Sequence, residues 1–166
     1  MNLTIDEAIK VLDMQEEILQ FSHFTNDDAW ELGNMIVAAA KKLDVAIAAS
    51  IRLNSGYIIF QHCFDGTNLL NEKWLSRKYN TVKMTERSSL YAYMLLQQNG
   101  ETFEDWGVNS KDYAACGGGF PIRVEEVGVI GAAVITGLDH VTDHDLLIKC
   151  ISKYLHVDEV PRIKAM

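Results

Sequence analysis

Ile5, Ile9, Leu12 and Leu19 recur at helical spacing behind Thr4 and Glu7, whose T-x-x-E separation is a capping box, so the pattern predicts an amphipathic helix over Thr4–Gln20. Thr25 and Asp28 open a second helix, with Leu32, Ile36, Ala40 and Leu43 on one face. At Val45 the period falls to two. Val45, Ile47, Ala49, Ile51 and Leu53 alternate with Ala46, Ala48, Ser50 and Arg52, as a strand requires. Asn54, Ser55 and Gly56 are turn formers, and Tyr57–Asp65 continues with Ile58, Phe60 and Phe64 on one side, which predicts an antiparallel hairpin.

Asn68–Lys83 returns to helical spacing through Trp74, Leu75, Tyr79 and Val82, and Ser88 or Ser89 caps a further helix that stops at Gly100. After a polar stretch, Tyr113–Val124 and Val127–Ile135 read as strands around a Glu125–Glu126 turn, the first distorted by Gly117, Gly118 and Gly119. Thr142 with Asp145 starts a last helix whose apolar face is Leu147, Cys150, Ile151 and Tyr154, leaving His140 ahead of it. The order ααββααββα places a hairpin inside each strand pair and departs from the βα alternation of a parallel fold. It predicts an α+β fold, an antiparallel sheet covered by helices in layers. No repeat, linker or low-complexity segment divides residues 1–166, and a chain of this length is expected to form one domain.

Composition adds exclusions. Apolar residues make up 48% of the 166 and charged residues 23%, the profile of a chain with a buried core. Fifteen basic residues against twenty-three acidic ones give a net charge of −8, which disfavours nucleic acid and anionic membranes as partners. Apolar runs fall short of a membrane span, and the first residues lack a basic segment followed by an apolar stretch. Cys63, Cys116 and Cys150 are odd in number and form no C-x-x-C pair, so neither a disulfide framework nor a thiolate zinc site is expected. These features together predict a soluble, cytoplasmic protein. No G-x-G-x-x-G, Walker lysine, nucleophile elbow or H-E-x-x-H motif is present.

Four stretches, in order, are more specific. They are Asn71–Lys78 (NEKWLSRK) with Asn80-Thr81-Val82; Ser88-Ser89; Tyr113–Ile122 (YAACGGGFPI); and Gly128–Gly131 (GVIG) leading to Thr136-Gly137-Leu138 and Asp143-His144. The series resembles the haem-degrading-domain family, and more closely its 0303 branch, over roughly residues 5 to 156. The resemblance implies a profilin-like α/β/α domain that forms a homo-oligomer, with members that bind haem and some that degrade it. Two positions depart from that family: Cys116 stands where relatives often carry His, and Thr136 where they often carry Ser.

Each candidate has a functional and a structural reading. Gly117, Gly118 and Gly119 allow close backbone approach beside a flat ligand, or simply a bulge ahead of Pro121. Cys116 is a candidate thiolate ligand for haem iron, or a small apolar filler. His144 matches the Asp-His of the family and is the best single imidazole ligand, with a structural or surface role as the alternative. His62 shares a strand side with Phe60 and Phe64, where a hydrogen-bonded interior histidine is the default. Arg77 and Lys78, with Lys83 and Arg87, concentrate positive charge that suits haem propionates or another organic acid, or forms a solvated face balanced by Glu72 and Glu86. The expected cofactor site is therefore Arg77, Lys78, Cys116, Gly117, Gly118 and His144, with Cys116 and His144 as metal ligands and no catalytic side chain assigned. Bound haem would itself supply the redox chemistry. The rivals are a cofactor-free assembly module and a small organic-acid sensor.

Overall fold

In the computed structural model, which describes residues 2–164, two antiparallel hairpins join edge to edge in one sheet. Strand β1 (Ala48–Leu53) pairs with β2 (Ile58–Cys63), and β3 (Gly119–Val124) with β4 (Gly128–Thr136). The hairpins meet through β1 and β4, giving the order β2-β1-β4-β3. Small residues make that seam: Arg52 lies opposite Ala132, Ile51 opposite Ala133 and Leu53 opposite Gly131.

Among the described residues five α-helices surround the sheet: α1 (Ile5–Ile18), α2 (Asn26–Lys42), α3 (Leu69–Thr85), α4 (Ser89–Asn99) and α5 (His140–Tyr154). α2 and α5 cover one face over Ala49, Ile51, Phe60, Phe120, Ile122, Ala133 and Ile135. α3 covers the other, setting Leu75, Tyr79 and Val82 on Ala48, Ala132 and Val134. The result is the expected antiparallel α+β sandwich. α1 and α4 pack together in a smaller core of Ala8, Leu12, Leu90 and Met94, joined by Val141 and Ile163. No helix among the described residues is long and apolar enough to cross a membrane.

Local chemistry explains the boundaries. Thr4 with Glu7 and Thr25 with Asp28 form the expected capping boxes, and Ser88 caps α4 by accepting from Tyr91 N–H. α5 differs from expectation: Asp139 is its cap, accepting from Thr142 N–H, so the helix begins at His140. Asp139 and Thr142 are both competent caps, and the carboxylate takes the outer position while the Thr142 hydroxyl donates back to it. β3 starts only at Gly119, because Ala114 N–H is committed to Arg77 O and Thr81 Oγ1 and Gly118 sits at φ +120°. Within the polar stretch a 3-10 turn, Phe103–Trp106, buries Phe103.

A bulge in β2 shapes one edge of the molecule. Ile51 pairs with Phe60 but Arg52 with Ile58, so Ile59 is the extra residue. Ile58 is thereby turned to the α3 side, while Phe60, His62 and Phe64 stay on the α2 side. The β3 edge is closed by Phe21, which donates to Arg123 O and accepts from Glu125 N–H, both at 2.8 Å. β2 is the opposite edge, and Gln61, His62 and Cys63 are exposed along it.

Candidate functional site

Lys78 lies in the middle of α3 and is only 2% exposed. Its ammonium donates to the Ile135 carbonyl at 2.9 Å and to Asp143 Oδ2 at 3.1 Å. Asp143 is equally buried in the first turn of α5, and its other oxygen accepts from Leu138 N–H at 3.2 Å. Burial drives the Asp143 pKa up to about 6, against the opposing pull of Lys78. The pair ties α3, the end of β4 and the start of α5 to one point. Lys78 is therefore no solvated helix charge, and Glu72 is engaged elsewhere, in a bidentate contact with Arg52.

The glycine run fits around this pair. A Cβ built on Gly118 would lie 2.6 Å from Lys78 Nζ, and one on Gly117 would overlap the His140 carbonyl oxygen. Gly118 O accepts from Ile135 N–H at 2.7 Å, Gly117 N–H donates to His140 Nδ1 at 3.0 Å and Gly119 N–H donates to Ser89 Oγ at 2.9 Å. Cys116, half-buried beside them, has its thiol pKa raised by burial, with Lys78 lowering it and Asp143 raising it further. At neutral pH the sulfur keeps its proton and is a poor iron ligand.

His144 is fully buried. Its Nε2 lies 2.8 Å from Gln15 Oε1, and the Gln15 amide nitrogen donates to Pro161 O at 2.8 Å, which turns the oxygen toward the ring. Nε2 therefore carries the proton, and Nδ1 is a buried acceptor without a partner among the described residues. Desolvation pushes the His144 pKa down to about 4. Arg77 donates to the carbonyls of Ser110 and Tyr113 and stacks 4.4 Å over Trp74, clasping the loop that leads to Cys116.

The structure thus gathers Lys78, Cys116, Gly117, Gly118 and His144 at one corner, with Arg77 beside it. As a receptor for haem the corner does not fit: protein atoms meet the glycines, and the Nε2 of His144 is engaged by Gln15. Asp143 and Ser89 stand in the stretches that carry the family resemblance but outside the expected site, and Gln15, which completes the corner with His140, had no signal in the sequence.

A second place has different chemistry. Between α2 and β2, two cavities of about 480 and 230 Å³ share Lys41 and His62. His62 is exposed, not interior, because β2 is an edge strand. Its ring meets Phe64 edge-on at 5.2 Å, and Trp30, 64% exposed, meets Phe60 at 6.2 Å. Here an imidazole, aromatic faces and an ammonium open on solvent together.

The profile of the haem degrading protein HbpS-like family matches residues 24–152. The chain belongs to that family. Within it, the chain is 36% identical to a UPF0303 protein of Yersinia enterocolitica over 92% of its own length and 91% of that protein's. UPF0303 proteins of Yersinia pseudotuberculosis are 34% identical over the same share of the chain and 90% of theirs. Among solved structures, the Ybr137w protein superimposes with a TM-score of 0.81 at 28% identity, covering 89% of this chain and 87% of that one. HbpS shares the fold at a TM-score of 0.64 and 17% identity, over 82% and 92%. The PduOC:heme complex shares it at 0.66 and 19%, over 78% and 93%.

Two outcomes test the corner as a structural clasp. K78M and D143N should each lower the unfolding free energy by about 3–5 kcal/mol, and the double variant by clearly less than their sum; additive losses in urea titrations would contradict the pairing. His144 and Asp143 also set opposite pH dependences. From about pH 4 to 6.5 the unfolded chain binds a proton at His144 that the folded chain refuses, so this contribution grows as pH rises. Folded Asp143 holds its proton up to about pH 6, whereas the unfolded carboxyl releases it near 3.8, so that contribution shrinks as pH rises. H144Q removes only the first, and its stability should fall more steeply with rising pH across this window than that of the wild type; equal slopes would contradict the assignment.

Proposed function

We propose that this chain is a cytoplasmic homo-oligomer that binds haem or a related tetrapyrrole. One observation carries the proposal: the family match over residues 24–152, together with a neighbour of the same fold solved as a haem complex. The adjacent Leu69 and Leu70, both largely exposed at the start of α3, are apolar surface that a second subunit would cover. Bound haem would supply iron-based redox chemistry, including any degradation of the macrocycle, and the protein would fix its orientation and its exposure to water. No catalytic side chain is assigned.

The filled glycine corner favours a second reading, a cofactor-free profilin-like assembly module. An organic-acid sensor at Arg77 and Lys78 has less support, because the Lys78 ammonium is already held by Asp143 and Ile135 O.

Titration of the apo-protein with hemin should give a saturable shift of the Soret band, and a slow drift without an endpoint would contradict haem binding. Light scattering after size exclusion should give a mass above that of one chain; a monomer would contradict the assembly part.

A further inference from the structure

Haem is a flat apolar disc with two carboxylates at one edge and an iron that needs a Lewis base above its plane. A site for it needs an accessible imidazole or thiolate, aromatic or aliphatic walls, a cation and an open slot. The buried candidates fail the first condition. His144 is enclosed, and burial holds the thiols of Cys116 above its ordinary range and of Cys150 up to about 11. Cys150 lines an otherwise suitable groove between α2 and α5, rimmed by Lys42, Lys149 and Lys153, but offers iron no thiolate there. His23 and His156 line a cleft of about 340 Å³ with Asp28 and Glu31 but with no Lys or Arg to meet a propionate.

We propose that haem is held in the groove between α2 and β2 with the His62 imidazole as its axial ligand, an inference that rests on the haem-binding proposal above and assigns it a site. Alternation along the edge strand puts Phe60, His62 and Phe64 on the same side, facing α2, while the bulge at Ile59 turns Ile58 to the other. Gly33 lets α2 approach there: a Cβ at that position would lie 2.5 Å from the Phe60 ring, so Phe60 is pinned as a floor. Trp30 stands at one end of the smaller cavity with its indole exposed, and Phe64 lines the larger one. His62 lines both cavities, so it would hold the iron where they meet, and Trp30 in the smaller cavity and Phe64 in the larger would wall the macrocycle. Lys41 also lines both and offers its ammonium to a propionate. Asp44 and Asp65 border only the larger cavity, which turns the propionate edge away from them. The exposed His62 imidazole makes no hydrogen bond among the described residues, so binding iron through a ring nitrogen would break none.

The test is hemin titration of the full chain as wild type, H62A, W30F and C116A, with resonance Raman spectra of the ferrous complexes. Wild type and C116A should bind saturably and show an iron–histidine band. H62A should bind at least tenfold more weakly and lose the band, and added imidazole should restore it. W30F should weaken binding severalfold with the band retained. Because His62 is exposed, H62A should keep the wild-type denaturation midpoint, so its loss of binding reports ligation. Saturable wild-type binding with H62A unchanged in affinity and spectrum would overturn this site and leave haem binding standing. Wild type without saturable binding would remove haem binding and the site together.

Discussion

The ion pair between Lys78 and Asp143 is the contact on which the other features of the corner depend. Both charges are out of water, and removing an ammonium and a carboxylate from solvent costs several kcal/mol per ion unless every remaining donor and acceptor is answered. Here the Ile135 carbonyl meets a second ammonium proton and the Leu138 N–H the second carboxylate oxygen. The need to surround the pair explains why three glycines follow Cys116. A side chain on Gly118 would meet the ammonium itself, and one on Gly117 the first turn of α5. What reads in sequence as a cradle for a ligand is in the fold a cradle for the protein's own lysine.

The two sheet edges divide the molecule's chemistry. At the β3 edge, Phe21 takes up the backbone groups of Arg123 and Glu125, so that part of the edge is paired. At the β2 edge, where no further strand pairs among the described residues, an imidazole and aromatic rings stay partly open to water. Exposed aromatic surface on an edge strand is a liability unless something covers it, and a planar ligand or a second subunit would serve that purpose. The fold shared with HbpS and PduOC is thus compatible with a ligand place determined by this chain's own side chains, as is common when one scaffold carries several functions.

Much of the architecture was legible because it is local. The capping boxes at Thr4 and Thr25 and the switch from helical to alternating spacing at Val45 act within a few residues, and they gave the element order and the antiparallel hairpins. The start of α5 was misplaced because Asp139 and Thr142 compete for one cap. The corner's candidates lie near one another in the fold, but the contacts each makes were not legible. Lys78 finds Asp143 across 65 positions and His144 finds Gln15 across 129, and no spacing rule links residues so far apart. His62 was expected inside for a related reason. Its side of the strand follows from alternation, but its exposure depends on β2 being an edge, which only the strand order reveals.

The most direct measurement is an iron anomalous-difference map from crystals of the chain grown with hemin. A peak at bonding distance from the His62 ring, between Trp30 and Phe64, with Lys78 and Asp143 still paired, is the expected result. Iron beside Cys116 or His144, with that ion pair broken to admit the macrocycle, would contradict both the edge groove as the receptor and the corner as a clasp.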